Sequence, residues 1–445
     1  MVTLINSFRC LRPARVLLIG DLLLDTYTNG FVQRMSAEAP VPILDVQEIK
    51  DSPGGAGNVA LNLKALNADV LFVGRVGDDD RGAYLLHLLR EKGVGTEGIS
   101  VQKGAITPSK HRFMADSQQL LRVDKECHLP LNQDIEKRVM QFISEHIGEC
   151  AVVTISDYNK GFFSKSLLKF TIELASKYGI PTLVDPKGEN FKKYYGATLI
   201  KPNYREALVA SKLEEDATLS AIARALLTET ASDKIMVTRS EHGITLFERE
   251  GQRRSDFPVR SREVRDVTGA GDTVLAMTAM VLASPLNLRE GLELSNIAAS
   301  IAIERVGCVA VSLSEVAERL LEIDMRNKVF DEKTLLILEE MLQGKKLTIL
   351  GVNTKEGLSN VLLTSIQKLA KRDDSERFMI YPTDPDPDPH MIALLTSLRE
   401  VDFVAARSNS LTFLSKKISP SHIYALDEGG SLLPITSTTY TEAMR

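Results

Sequence analysis

The chain has 445 residues, 44% of them hydrophobic and 25% charged, which is the composition of a soluble globular protein and the length of two or three domains. Its net charge of −5 argues against a general affinity for nucleic acid, and no apolar run approaches a membrane span. Asp21 and Asp25 break the apolar stretch after the N-terminal arginines, so no signal peptide is expected, and four scattered cysteines without a CxxC pair point to reduced thiols in a cytoplasm.

Arg15–Asp21 reads as a buried parallel strand that ends in a turn, because a continuous apolar run bounded by glycine suits a strand covered on both faces. Asp21 and Asp25 follow at its carboxyl end, the edge where open α/β sheets bind ligands. Asp21 can accept hydrogen bonds from a sugar, and Asp25 is either a ligand contact or the cap of a helix. Residues 28–50 read as extended pieces forming a small sheet apart from the main one. Gly54-Gly-Ala-Gly-Asn58 then opens a helix over Val59–Leu66, with Asn58 offering donor and acceptor to a polyol. The GxGxxA register in this stretch lacks the tight strand–turn–helix of a dinucleotide site. Residues 107–125 read as a hairpin turning around Ala115-Asp-Ser117. On it Lys110 and Arg112 share one face and can clamp a phosphate or stand as solvated edge charge.

Four further strands are expected at Ala151–Ser156, Pro181–Asp185, Thr198–Lys201 and Lys234–Thr238. Each ends in a polar loop, the layout of a doubly wound sheet with a site along one edge. Asn203 and Glu206, three apart, can hold a hydrated Mg²⁺ beside phosphates, since that ion takes oxygen ligands and keeps waters. His111 and His242 lack metal-ligand spacing.

Asp266-Val-Thr-Gly-Ala-Gly-Asp272 precedes a helix-compatible run, Thr273–Ala283. Gly269 and Gly271 permit a tight turn, and the first amides of a helix face outward toward an anion. Asp272 at this entrance can take a proton from an attacking hydroxyl, or simply cap the helix. No GxxxxGK[ST], GxSxG or HExxH motif occurs.

Together the two glycine motifs resemble the signatures of the ribokinase (PfkB) family of sugar kinases, over about residues 12–320. The resemblance implies an α/β fold with a doubly wound, mostly parallel sheet and a small β lid, and MgATP-dependent phosphorylation of a sugar hydroxyl. Asp272 would be the base, and the amides of Gly269, Ala270 and Gly271 the anion hole. Asp21, Gly55 and Asn58 would bind sugar. Asn203 and Glu206 would order Mg²⁺ and phosphate. Thr238, Ser240 and Gly243 would lie near the nucleotide phosphates, and Asn296 near adenine or ribose. The lid would pair two subunits.

Five stretches, among them Arg34–Pro42, Gln118–Asp124 and Ser156-Asp-Tyr-Asn-Lys-Gly161, resemble the heptose-7-phosphate kinase branch. That branch implies D-glycero-β-D-manno-heptose 7-phosphate as substrate, on the way to the ADP-heptose of lipopolysaccharide. Lys110, Arg112, Lys160 and Lys187 are the candidate cations for its phosphate. Beyond a polar stretch at 325–334, a second, smaller α/β domain is expected. The domains are read as 1–325 and 335–445. In bifunctional relatives the second position holds an adenylyltransferase with an HxGH motif. Here the only histidines after residue 330 are His390 and His422, so the domain reads as a degenerate nucleotidyltransferase-like unit. Asp384-Pro-Asp-Pro-Asp-Pro389 is expected to be extended, as a solvated loop or a cation site. Rival readings are a kinase for another sugar, a nucleoside or fructose phosphate, a non-catalytic binding protein, and a dehydrogenase.

Overall fold

The computed structural model describes residues 2–115, 118–259, 264–305, 307–323, 328–330, 335–342, 344–370, 375–405, 411–426 and 431–435. The chain divides into two compact units, Cys10–Ser312 and a second made of Met1–Arg9 with Leu313–Arg445. Helix Leu313–Ile323 therefore groups with the C-terminal unit, ahead of the polar stretch that suggested a boundary. The reason is local: Val316, Ala317 and Leu320 are buried, and the helix packs on Leu335–Met341. Most of 325–334 lies outside the described residues.

In the first unit the strands are β1 Arg15–Met35, β2 Pro42–Gly55, β3 Asp69–Gly77, β4 Gly98–Gln102, β5 Ser109–Ala115, β6 Gln118–Lys125, β7 Val152–Ser156, β8 Thr182–Asp185, β9 Leu199–Ile200, β10 Lys234–Thr238, β11 Ile244–Glu248 and β12 Arg253–Phe257. The main sheet runs β12-β11-β10-β9-β8-β7-β1-β3-β4, parallel except where β11 and β12 turn back. Alternation along the strands feeds two helical layers. Leu17, Ile19, Val153, Ile155 and Val184 pack with helices Gln133–His146, Lys165–Lys177, Tyr204–Ser211 and Leu219–Thr230. Helices Ala56–Ala65 and Ala270–Leu282 lie against strands β1, β3, β7 and β8, and against each other. The latter is buried from Asp272 to Val281, as expected for a helix that is apolar on every side.

Two expectations are corrected here. The lid is not a separate sheet. Strand β1 is a single strand of 21 residues that leaves the main sheet and continues into the lid. Its outer part pairs with β2 antiparallel and with β5 parallel, and β5 pairs with β6. Nor does β1 end in a turn at Asp21, and Asp25 caps no helix. Both carboxylates find donors without leaving the ladder, and Leu22, Leu23 and Leu24 are buried between them, so extended backbone continues. The 107–125 hairpin forms, with Lys110 opposite Asp124 and Arg112 opposite Arg122; its tip at Asp116 and Ser117 lies outside the described residues.

The C-terminal unit has strands β13 Val329–Phe330, β14 Lys346–Val352, β15 Glu376–Pro382, β16 Phe403–Ala405, β17 His422–Leu426 and β18 Leu432–Pro434, ordered β13-β16-β15-β14-β17-β18. Its core joins Leu350, Phe378, Ile380 and Val404 to helices Asn360–Leu369 and Pro389–Ser397. The aspartate–proline run bends instead of extending. Asp384 is buried and accepts from the amide and hydroxyl of Thr354, whose hydroxyl also receives the amide of Asp388, and Asp388 caps the following helix. No described helix is long and apolar enough to cross a membrane.

Candidate active site

The helix Ala270–Leu282 starts one turn earlier than its apolar run suggests, so Asp272 lies in its first turn. Gly269 precedes it with φ 79°, and a Cβ there would fall 2.9 Å from Asn58 Nδ2, so this position requires glycine twice over. Ala270 N is spent in a turn to Val267 O at 3.3 Å. The amides of Gly271 and Asp272 remain as first-turn donors, so Ala270 leaves the expected anion hole and Asp272, which was not expected there, joins it. The loop before them is fastened by Asp266, which accepts from Thr268 N at 2.9 Å and Gly307 N at 2.8 Å.

Asp272 is buried, and each carboxylate oxygen has a donor. Asn58 Nδ2 reaches Oδ2 at 2.8 Å, and the Tyr158 hydroxyl reaches Oδ1 at 2.8 Å. Burial raises its pKa, and the two hydrogen bonds and Lys201 oppose that rise. Asn58 comes from helix Ala56–Ala65, which Gly55 (φ 58°) opens after β2. Buried Asn62 fixes this helix further, accepting from the Thr273 hydroxyl and from Val311 N, both at 3.2 Å.

Asp21 reaches the same place from β1. Its carboxylate accepts Tyr158 N at 2.9 Å, Lys160 N at 3.2 Å and Phe162 N at 3.4 Å. Burial and the charge of Asp157 push its pKa up to about 6. The two ends of the site thus meet through one residue: Tyr158 gives its amide to Asp21 and its hydroxyl to Asp272.

Asp272 faces a cleft of about 180 Å³ along the carboxyl ends of β7 to β10, where open α/β sheets place their ligands. Lys201 and Asp185 form a pair at 3.0 Å on its wall, and burial pushes Asp185 up to about 7. Asn203 and Glu206 also line it, and they form a capping box: Glu206 N donates to Asn203 Oδ1 at 2.8 Å and Asn203 N to Glu206 Oε2 at 3.0 Å. Lys187 bonds Glu206 at 2.7 Å. Among the described residues no group of three or more His, Cys, Asp or Glu could enclose a metal ion. Thr238 lines the cleft, whereas Ser240 and Gly243 do not. They shape the turn after β10, where Gly243 has φ 75° and a Cβ would meet Phe257 O. Asn296 donates to the carbonyls of Phe257 and Pro258, at 3.0 and 2.8 Å, and so holds the chain after β12.

Where the lid leaves the floor, the predicted cations separate. Arg112 is bound to Asp25 at 2.6 Å and lies over the Tyr27 ring. Lys160 is bound to Glu126 at 2.6 Å. Lys110 makes no ion pair among the described residues, and burial, opposed by Asp25 and Asp124 and aided by Arg122 and Lys160, lowers its pKa. Lys187 lies on the cleft side, away from this group in the sequence of loops.

Sequence reasoning did not single out Tyr158, Lys201, Asn62 or Cys308. Tyr158 and Lys201 sat inside stretches already chosen, one residue after Asp157 and two before Asn203. Cys308 carried no pattern, yet its sulfur would lie 3.3 Å from a Cβ at Gly269.

The pfkB family carbohydrate kinase model matches residues 14–315. "Bifunctional protein HldE" of Geobacter sulfurreducens is 40% identical over 336 residues, covering 74% of this chain and 68% of the relative. Phosphofructokinase-2 from Escherichia coli, in complex with potassium, superposes with a TM-score of 0.58 at 19% identity, covering 70% of this chain and 99% of that one. Ribokinase of Arabidopsis thaliana, complexed with ribose and ATP, does so with 0.54 at 18%, covering 69% and 99%. At such identities the two structures speak for the ribokinase-like fold alone, and the family follows from the model and the close relative. The chain belongs to the pfkB family of carbohydrate kinases and is a phosphotransferase that acts on a sugar.

Proposed function

We propose that the chain transfers a phosphoryl group from ATP to the anomeric hydroxyl of D-glycero-β-D-manno-heptose 7-phosphate, giving the 1,7-bisphosphate used for ADP-heptose and the lipopolysaccharide core. The observation that carries this reading is Asp272, a buried carboxylate between first-turn amides on one side and the sugar-side residues Asn58 and Asp21 on the other. In it the acceptor hydroxyl gives its proton to Asp272 as its oxygen attacks. The amides of Gly271 and Asp272, with Lys201 nearby, meet the charge on the transferred group, and positioning does the rest. ATP as donor is supported by the family and by the Arabidopsis ribokinase complex.

Asn203 and Glu206 supply oxygen donors of the kind Mg²⁺ accepts, in the cleft where the nucleotide phosphates would lie, so they would hold the ion through its waters. When bound, Mg²⁺ neutralises phosphate charge. For the 7-phosphate, Lys110 is favoured over its three companions. Arg112, Lys160 and Lys187 already have carboxylate partners, whereas Lys110 makes no ion pair among the described residues and is left to meet a phosphate.

The C-terminal unit has lost adenylyl transfer in this reading, because no HxGH pair is present. The lid joins two copies. Strand β6 is exposed throughout and β2 is largely exposed from Pro42 to Lys50, and Phe31 and Met35 of β1, Ile49 of β2 and Leu121 of β6 are uncovered apolar side chains. The four free cysteines accord with a cytoplasmic enzyme.

A coupled ADP-release assay under saturating MgATP tests the function with heptose 7-phosphate, fructose phosphates, ribose and a nucleoside. The heptose phosphate should give the highest kcat/KM. A faster fructose phosphate or ribose would replace the substrate assignment, and no ADP with any of them would favour a binding protein.

A further inference from the structure

We propose that Tyr158 is a positioning residue for phosphoryl transfer: its phenol sets the orientation and basicity of the Asp272 carboxylate, and its loop ties that setting to the sugar end of the site. The proposal rests on the reading of Asp272 as the base. The geometry is a clamp on a single group. Asn58 holds one oxygen of Asp272 and Tyr158 the other, both at 2.8 Å. Two donors on two oxygens fix the plane of a carboxylate, while each oxygen keeps a second lone pair for the acceptor hydroxyl.

The phenol itself is firmly placed. Asp21 takes the amides of Tyr158, Lys160 and Phe162, so the loop wraps around one buried carboxylate. Asn159 N bonds Asp157, which is gripped in turn by Lys193 at 2.6 Å and the Tyr194 hydroxyl at 2.7 Å. Buried Arg75 takes the carbonyls of Lys160 and Leu129, each at 2.7 Å, and Lys160 reaches Glu126 just beyond β6. The loop is therefore anchored to the floor through Asp21 and Asp157, and to the root of the lid through Arg75 and Lys160.

Burial keeps the Tyr158 hydroxyl protonated far above neutral pH, so toward Asp272 it is a donor only. Donation to a carboxylate favours the ionised form. The other groups that act on Asp272 are Asn58, which donates to it, Lys201, which favours its charge, and Asp25, which opposes it; Asp185 and Cys308 feel the charge of Asp272 in turn. Removing the phenol donor leaves these in place and raises the pKa of Asp272. The base must be ionised to work, so the acid limb of the rate profile moves to higher pH.

The test is kcat and KM across pH for the full chain, using the most active phosphosugar of the panel above, with Tyr158→Phe and Asp272→Asn measured together. Tyr158→Phe should lower kcat about tenfold, leave KM for ATP unchanged, and shift the acid limb of kcat upward by about one pH unit or less. A Tyr158→Phe limb that coincides with the wild type overturns the proposal, even if kcat or thermal stability falls. If Asp272→Asn stays active, the base reading fails first; if it is inactive and the Tyr158→Phe limb has not moved, only the Tyr158 assignment fails. Should Tyr158→Phe not fold, a ring-fluorinated tyrosine at 158 decides, because it donates more strongly: the limb must then move to lower pH, and an unmoved limb overturns the proposal.

Discussion

Both units spread a mostly parallel sheet between helices and gather polar residues where the strands end, but they use those residues differently. In the first unit the bonds run between distant elements: Asp21 on β1 to the loop after β7, Asn58 to Asp272, Lys201 to Asp185. Burial leaves Asp21 and Asp185 with pKa values of about 6 and about 7, and raises that of Asp272. In the C-terminal unit Asp384 is buried as well, yet Thr354 satisfies it twice and its pKa falls. Burial outweighs the hydrogen bonds made by Asp21 and Asp185, whereas the two bonds from Thr354 outweigh it at Asp384. The same architecture serves both, so the site follows from the side chains, not from the fold.

That contrast can be broken most directly at Asp272. Asp272→Asn should cut kcat by roughly 10²–10⁴-fold with the midpoint of thermal unfolding little changed, measured by ADP release and calorimetry. An active variant would erase the distinction between the units. Gly269→Ala comes next, since the new Cβ would strain a left-handed backbone and press on Asn58; kcat should fall roughly a hundredfold. Asp384→Ala is the mirror experiment. Kinase activity should stay within about twofold, while the C-terminal unit loses about 1–3 kcal/mol because Thr354 is left without its acceptor. The smallest effect concerns pH. The folded pKa of Asp185 lies above its ordinary value, so its contribution to stability is fullest in acid and declines as pH rises through about 7. Asp185→Asn should flatten the thermal stability profile between about pH 4 and 7 and leave it unchanged above.

Much of the first unit was legible in the sequence, because its signals were local. Buried strands announce themselves as apolar runs, and Gly54–Asn58 and Gly269–Asp272 carry backbone requirements that few sequences meet by chance. Single functions for Asn203, Glu206 and Asn296 were less legible. A capping box and a carbonyl tether use the same side chains as a ligand site, and spacing does not separate them. Tyr158 was hidden for a different reason: its partners are Asp21 and Asp272, far off on either side in sequence, and no periodicity records such a meeting. The continuation of β1 past Asp21 was missed because two aspartates normally signal a stop, and only their tertiary donors cancel it.

The unbroken course of β1 has a mechanical consequence. A cover carried by the same strand that makes the floor has no swivel; it can only flex like a springboard clamped at one end. The irregularities in its ladder fall between Asn29 and Gly30 and between Val32 and Arg34, outboard of Asp25. Flexure at the tip therefore leaves the inner span with Asp21 and Asp25 nearly still. The same span tolerates no change of length: one inserted residue between Asp21 and Asp25 would turn Asp25 to the opposite face and strand Arg112 without its anion.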